Sequence, residues 1–346
     1  MKKWIIVILL LACVIQPVSA LEFTAPAAPE GVQPLMPEER ESFAEGLWYI
    51  VKTAISALRP ELAEAAKRSF ALIAVVLLLS VLNNITKQHA NTIRLTGAVT
   101  IGVMLLQPIN TFIQLGADTV VSVSEYGKLL LPVMTAALAA QGGTTTSVAL
   151  YTATVFFDNF LTGVIAKVIV PALYIQLCLC IVVCAVQEDM LGRVRDFIKS
   201  TMTWCLKTVL YIFTGYISIT GVVSGVVDSS VIKATKLTIS GMVPVVGGIL
   251  SDASETILVS AGVMKNAAGI YGILAVMAIC ITPFLQIGIQ YLLLKATAAI
   301  SGIFGYKPAV SLIEDFSTGM GFVLAMTGTV SILLLISLVC FMKGIG

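Results

Sequence analysis

Long apolar runs alternate with short charged stretches along this chain, and the runs recur at the length of a membrane crossing. Residues 69–85, "SFALIAVVLLLSVLNNI", form the first convincing span, near the lower limit of ~17 residues for crossing a bilayer. Further spans are expected at 93–115 (with Pro108), 168–187 (with Pro171), 202–227, 267–294 (with Pro283) and 318–341. Lys87, His89 and Arg94, then Arg193, Arg195 and Lys199, then Lys295 and Lys307 mark the cytoplasmic ends of these spans. Gly221 and Gly225 form a GxxxG, a weak packing signal in so glycine-rich a chain. Ahead of the first span, Phe43, Leu47, Ile50, Ala54, Leu58 and Leu62 recur at helical spacing, with Glu45, Lys52, Arg59, Glu61 and Glu64 on the other side. The pattern predicts an amphipathic helix over 46–68, kinked near Pro60. Trp48 and Tyr49 suit a membrane interface. Such a helix either packs on the protein's own outer face or lies on a membrane or partner surface.

Two stretches are as apolar as the spans but interrupted. Residues 129–167, "LLLPVMTAALAAQGGTTTSVALYTATVFFDNFLTGVIAK", contain Pro132, Gly142 and Gly143, with Asp158 and Asn159 in the second half. Residues 240–256, "SGMVPVVGGILSDASET", contain Pro244, Gly247 and Gly248, followed at once by Asp252 and Glu255, and Lys265 and Asn266 lie further on. In hydrocarbon every backbone N–H and C=O needs a partner, so irregular backbone survives only where protein buries it or water lines it. These twelve residues are therefore candidate cavity-lining or re-entrant positions. Asp252 and Glu255 also read simply as an exposed helix start, since an isolated carboxylate at the bilayer centre costs about 3 kcal/mol or more. Asp158, Lys167 and Lys265 are the deeper ionisable residues and the better site candidates, although Lys167 is also placed to snorkel to the interface.

The two interrupted regions share a layout. Pro132 and Pro171 are separated by 39 positions, as are Pro244 and Pro283, and the units end in Asp196-Phe197 and Asp315-Phe316. The matching order of features favours an internal repeat, 118–227 and 230–341, over chance. If each interrupted segment dips in and out, the repeats point the same way, and if each crosses once they are inverted. Loop charge favours the first. The expected fold is an all-α polytopic membrane protein of about six to eight transmembrane helices with two broken or re-entrant segments.

Composition supports that class. The 346 residues are 58% hydrophobic and 12% charged, against about 25% charged in soluble domains, and the mean hydropathy is +0.99. A net charge of +2 gives no reason to expect nucleic acid, and membrane lipid is the expected surrounding. The N-terminus, "MKKWIIVILLLACVIQPVSALEF", reads as a signal peptide over 1–20 with cleavage after Ala20. An uncleaved anchor and a lipoprotein signal at Cys13 are the competing readings. Residues 21–45 are acidic and rich in proline, hence extracytoplasmic and extended or disordered. The polytopic domain occupies 69–346. Six of the seven cysteines fall in apolar runs, where they act as small hydrophobes. A single histidine removes any HExxH site, and "GGTTTS" lacks the lysine of a phosphate loop. Neither a catalytic constellation nor a cofactor motif is present, and no enzymatic role is expected.

At "KLTISGMVPVVGGILSDASETILVSAGVMKNAAGIYG", residues 236–272, the chain closely resembles the stage III sporulation protein AE family, polytopic membrane proteins of endospore-forming bacteria. The signal peptide, "PVMTAALAAQGGTTTS" and the terminal apolar spans fit the same family, so the resemblance covers nearly the whole chain. It implies a place on the mother-cell side of a channel or secretion-like complex bridging the two membranes around the forespore. It also implies a requirement for forespore integrity and late forespore-specific transcription. The implied partners are the other subunits of the stage III sporulation complex, with further copies of the chain as an added option. No catalytic motif comes with the resemblance. Two other functions stay open: a secondary transporter with Asp158, Lys167 and Lys265 at a midplane site, and a membrane scaffold without a pore.

Overall fold

The computed structural model describes residues 25–37, 43–140, 144–219 and 267–345. The expected signal peptide, Gly142, Gly143, Pro244, Gly247, Gly248, Asp252, Glu255, Lys265 and Asn266 lie outside these residues. The described chain is helical: α1 (Phe43–Ala57), α2 (Arg59–Ile85), α3 (Ala90–Ala140), α4 (Thr144–Val164), a π turn (Ile165–Ile169), α5 (Val170–Val186), α6 (Asp189–Ile219), α7 (Ala267–Gly302) and α8 (Lys307–Ile345). Among the described residues five stretches are long and apolar enough to cross a membrane: Arg59–Ile85, Ala90–Leu138, Ser147–Val186, Gly269–Gly302 and Lys307–Met342. This is an all-α polytopic membrane protein.

The helices differ from the pattern-based reading in their lengths. α3 has 51 residues and runs through both Pro108 and Pro132, about 76 Å at 1.5 Å per residue. That is far more than a ~30 Å hydrocarbon core, so α3 stands clear of the core or tilts strongly. A proline costs one backbone hydrogen bond, a loss that helices in protein-flanked membrane settings accommodate. The break expected at Pro132 is therefore a point inside a continuous helix, and its ring is exposed. α4, the π turn and α5 likewise follow one another without interruption, so Pro171 lies inside a continuous helical run and costs it one backbone hydrogen bond. Pro60 instead lies in the true first turn of α2, where its missing N–H costs nothing, so the chain divides at Leu58, and the charged residues 59–68 share a helix with the first span. The amphipathic face of α1 buries Gly46, Ile50 and Ala54, with Ile50 packed on Leu274 and Ala278 of α7.

Paired contacts give the directions. Gly116 lies against Val323 and Met326, and Gly127 against Leu334, so α3 and α8 run parallel and approach closely where the glycines remove side chains. Gly269 lies against Met342, and the Ser317 hydroxyl donates to Tyr291 O at 3.4 Å, so α7 is antiparallel to α8. Ser124 meets Asp158 and Arg94 meets Ala185, so α4–α5 is antiparallel to α3. α6 returns alongside, with Arg195 at Asp315 and Phe213 at Phe157. The hairpins α4–α5/α6 and α7/α8 thus run in the same sense. Gln187 (φ 60°) and Gly305 (φ 75°) take left-handed backbone at their turns. At position 305 glycine is the residue that accepts this without strain. Gln187 is held there by its side chain, whose Oε1 accepts a hydrogen bond from Arg94 Nη1 at 2.7 Å.

α8 is the centre of the bundle. Every residue from 319 to 342 is buried, about 36 Å of helix, enclosed by α3, α4, α5, α6 and α7. Its hydroxyls do not need neighbours: Thr329, Ser331 and Ser337 donate to carbonyls four residues back. α2 is also apolar but lies at the periphery, with Phe70, Leu78 and Ile85 exposed.

The proline-rich segment 25–37 is irregular over 25–29, turns at 30–32 into a single 3-10 turn (Gln33–Leu35) rather than staying extended, and is packed. Ala28 is buried, its N–H donates to Tyr271 Oη at 3.3 Å, and Tyr126 Oη donates to Pro26 O at 3.2 Å. Two hydroxyls from α3 and α7 fasten a segment whose composition alone forms no core. Tyr126→Phe with Tyr271→Phe removes both bonds, at about 1 kcal/mol each. Limited proteolysis is expected to cut residues 25–37 roughly thirtyfold faster in this variant, the factor that about 2 kcal/mol gives.

Candidate functional site

Two places in the described residues gather polar groups. The first lies on α4, where Thr154, Asp158 and Thr162 follow one another at helical spacing on one face. That face turns inward: Thr154 and Asp158 are buried, while Asn159, the neighbouring position, is exposed. Ser124 of α3 donates its hydroxyl to Asp158 Oδ2 at 2.5 Å. Asp158 Oδ1 has no hydrogen-bond partner among the described residues. Lys128, exposed and one turn beyond Ser124, is the nearby positive charge that acts on the carboxylate. Thr154 Oγ1 lies 3.1 Å from Ser337 Oγ of α8, which itself donates to Leu333 O at 2.9 Å. Serine, threonine and one carboxylate thus join α3, α4 and α8 through a polar layer inside an apolar bundle. Lys167 is exposed in the π turn and does not converge with Asp158. Of the candidates picked from the sequence that are described, Asp158 is enclosed, Asn159 and Pro132 face outward, and no two of the three come together around a common centre.

The second place is the end of the bundle where α5 turns into α6 and α7 into α8. The basic residues that mark cytoplasmic loops collect here. A cavity of about 670 Å³ opens between α5, α6 and α8, lined among others by Cys180, Cys184, Arg193, Arg195, Asp196 and Asp315. Arg195 Nη1 pairs with Asp315 Oδ2 at 2.7 Å and Arg195 Nη2 with Asp196 Oδ1 at 2.9 Å. Burial works against the Arg195 charge, but Asp315 and Asp196 outweigh it and hold the guanidinium above its ordinary pKa. Beside it, Arg94 Nε donates to Ala185 O at 3.0 Å, tying α3 to the end of α5. The loop charges read in sequence as an orientation signal are therefore also the clamp that closes α6 on α8. Asp196 and Asp315, the matching ends of the two proposed repeats, meet on one arginine. That repeat layout was the sequence signal for the pair.

Comparison with known proteins adds the following. The sequence profile described as "Stage III sporulation protein AE (spore_III_AE)" matches residues 35–344. The curated "Stage III sporulation protein AE" of Bacillus subtilis (strain 168) is 22% identical over 254 residues, covering 72% of this chain and 64% of that relative. The matched part thus spans less than two thirds of that relative's length. No solved structure matches the chain.

Proposed function

The chain belongs to the stage III sporulation protein AE family, and from that premise we propose that it is a non-enzymatic membrane subunit of a sporulation-specific channel or secretion-like complex linking mother cell and forespore. The family match over residues 35–344 carries the sporulation role. In this reading the chain is a multi-pass protein of the mother-cell membrane around the forespore and works with the other subunits of the stage III complex.

The packing bears on how such a subunit conducts. The axis of the described bundle is filled by α8, whose residues 319–342 are all buried. In this reading a path runs between chains rather than down the middle of the described bundle. The transporter reading needs ionisable residues gathered around one midplane site, whereas Asp158 is enclosed and Lys167 points outward.

Removal of the chain from a sporulating host is expected to leave engulfed forespores without late forespore-specific transcription, measured with a reporter and restored by the intact gene. Normal late transcription without the chain overturns the proposal. Asp158→Asn combined with Lys265→Met separates the alternatives. Wild-type spore yield from that variant removes the transporter.

A further inference from the structure

Buried hydroxyls in this bundle follow a habit. Thr119, Thr297, Thr329, Ser331 and Ser337 each donate to the carbonyl four residues back, which satisfies them within their own helix. Thr162, Thr282 and Ser301 depart from it, and of the three Thr162 alone stands one turn along its helix from a buried carboxylate. Its Oγ1 is buried without a partner among the described residues, although the carbonyl four residues back belongs to Asp158 itself. Asp158 Oδ1 is left open in the same way, while Oδ2 is fixed by Ser124 at 2.5 Å. Positions 158 and 162 are one turn apart on one helix face. Directly beyond them the helix widens into the π turn Ile165–Ile169, where Val170 N–H reaches back five residues to Ile165 O. π turns are rare and concentrate at functional sites.

Two open oxygens on adjacent turns of a buried face call for an occupant. The charges around them select its class. α4 contributes one carboxylate, which excludes an anion. α3 contributes Lys128 and Glu125, both exposed, α8 the uncharged Ser337, and α6 the ring of Phe213 against Phe157. A divalent ion asks for more than one carboxylate. Water would satisfy the oxygens but leave the buried charge with only the exposed Lys128 to offset it.

We propose that Asp158 Oδ1 and Thr162 Oγ1 hold a single sodium ion, ligated by both oxygens. The site goes beyond the sporulation role and is independent of it, because binding is read on the isolated chain.

The test uses purified full-length protein in lipid nanodiscs. Thermal unfolding is followed in sodium chloride against choline chloride at equal ionic strength, and in choline at pH 5.5 against pH 8. A cation that binds the folded state raises the midpoint as its concentration rises. The wild type is expected to respond to sodium, and Asp158→Asn is expected to abolish that response. A response to acid alone identifies a protonated carboxylate and overturns the site. Thr162→Val keeps the carboxylate and the side-chain shape, and is expected to weaken the response roughly tenfold, as the loss of one ligand does. It also decides the matter should Asp158→Asn fail to fold. No response to sodium in the wild type, a response that survives in Asp158→Asn, or an undiminished response in Thr162→Val overturns the site.

Discussion

Leu334→Asp is expected to abolish accumulation of the folded protein. Leu334 has no exposed surface and lies against Gly127 of α3, in the stretch of α8 that is buried on all sides. A carboxylate costs about 3 kcal/mol at the centre of a membrane helix even where lipid and water defects relieve it. Here it has no route to a headgroup, and about 2 kcal/mol of leucine burial is lost as well. The sum, about 5 kcal/mol, matches the whole stability of many proteins. Fluorescence-detected gel filtration of detergent extracts is expected to show less than about a tenth of the wild-type monodisperse peak. Leu334→Met, which conserves volume, is expected to stay near wild type. If Leu334→Asp elutes at wild-type level, α8 is not the enclosed centre of the bundle.

Arg195→Ala is the second large effect. Arg195 joins α6 to α8 through Asp315, and only 19% and 20% of the two side chains meet solvent. Removing the arginine leaves Asp315 enclosed without its partner. Fully buried pairs lose 3–5 kcal/mol in this way, and the residual exposure lowers the expectation to about 2 kcal/mol. The midpoint of thermal unfolding should fall accordingly. The double variant Arg195→Ala/Asp315→Asn should recover part of the loss, because the stranded charge is gone. A double variant no better than the single one would show that Asp315 does not depend on Arg195.

The class of fold was legible because hydropathy reports burial away from water. It does not report whether a helix is buried in lipid or in protein, and α2 and α8 show the difference. Both are apolar spans, yet α2 exposes Phe70, Leu78 and Ile85 while α8 exposes nothing from 319 to 342. Without a solvent contrast between lipid and protein, side-chain polarity cannot separate the two surroundings. Proline misled for a related reason. Pro132 reads as a break because it costs a hydrogen bond, but a helix packed along its length against α8 carries that cost and continues. The proline-rich segment read as loose because its own side chains build no core, and its anchors, Tyr126 and Tyr271, lie about 100 and 243 residues away in sequence.

Of the candidate site, Asp158 was legible because a carboxylate in an apolar run must be enclosed with partners or turned to water. Ser124, which binds it, was not, since a lone serine 34 residues earlier carries no signal in composition or spacing. The Arg195–Asp315 clamp was half legible. The shared Asp-Phe ends suggested correspondence, but nothing in the sequence says which of Arg193, Arg195 and Lys199 reaches across. The helical phase set by packing α6 on α8 makes that choice.

As a subunit of the proposed complex, this chain would work as part of an assembly. The most direct measurement is its isolation, through an affinity tag, from detergent-solubilised membranes of sporulating cells, with mass determination of the intact particle. The isolated particle is expected to contain other subunits of the stage III sporulation complex. Recovery of the chain alone as a single copy, from cells that complete sporulation normally, would contradict this.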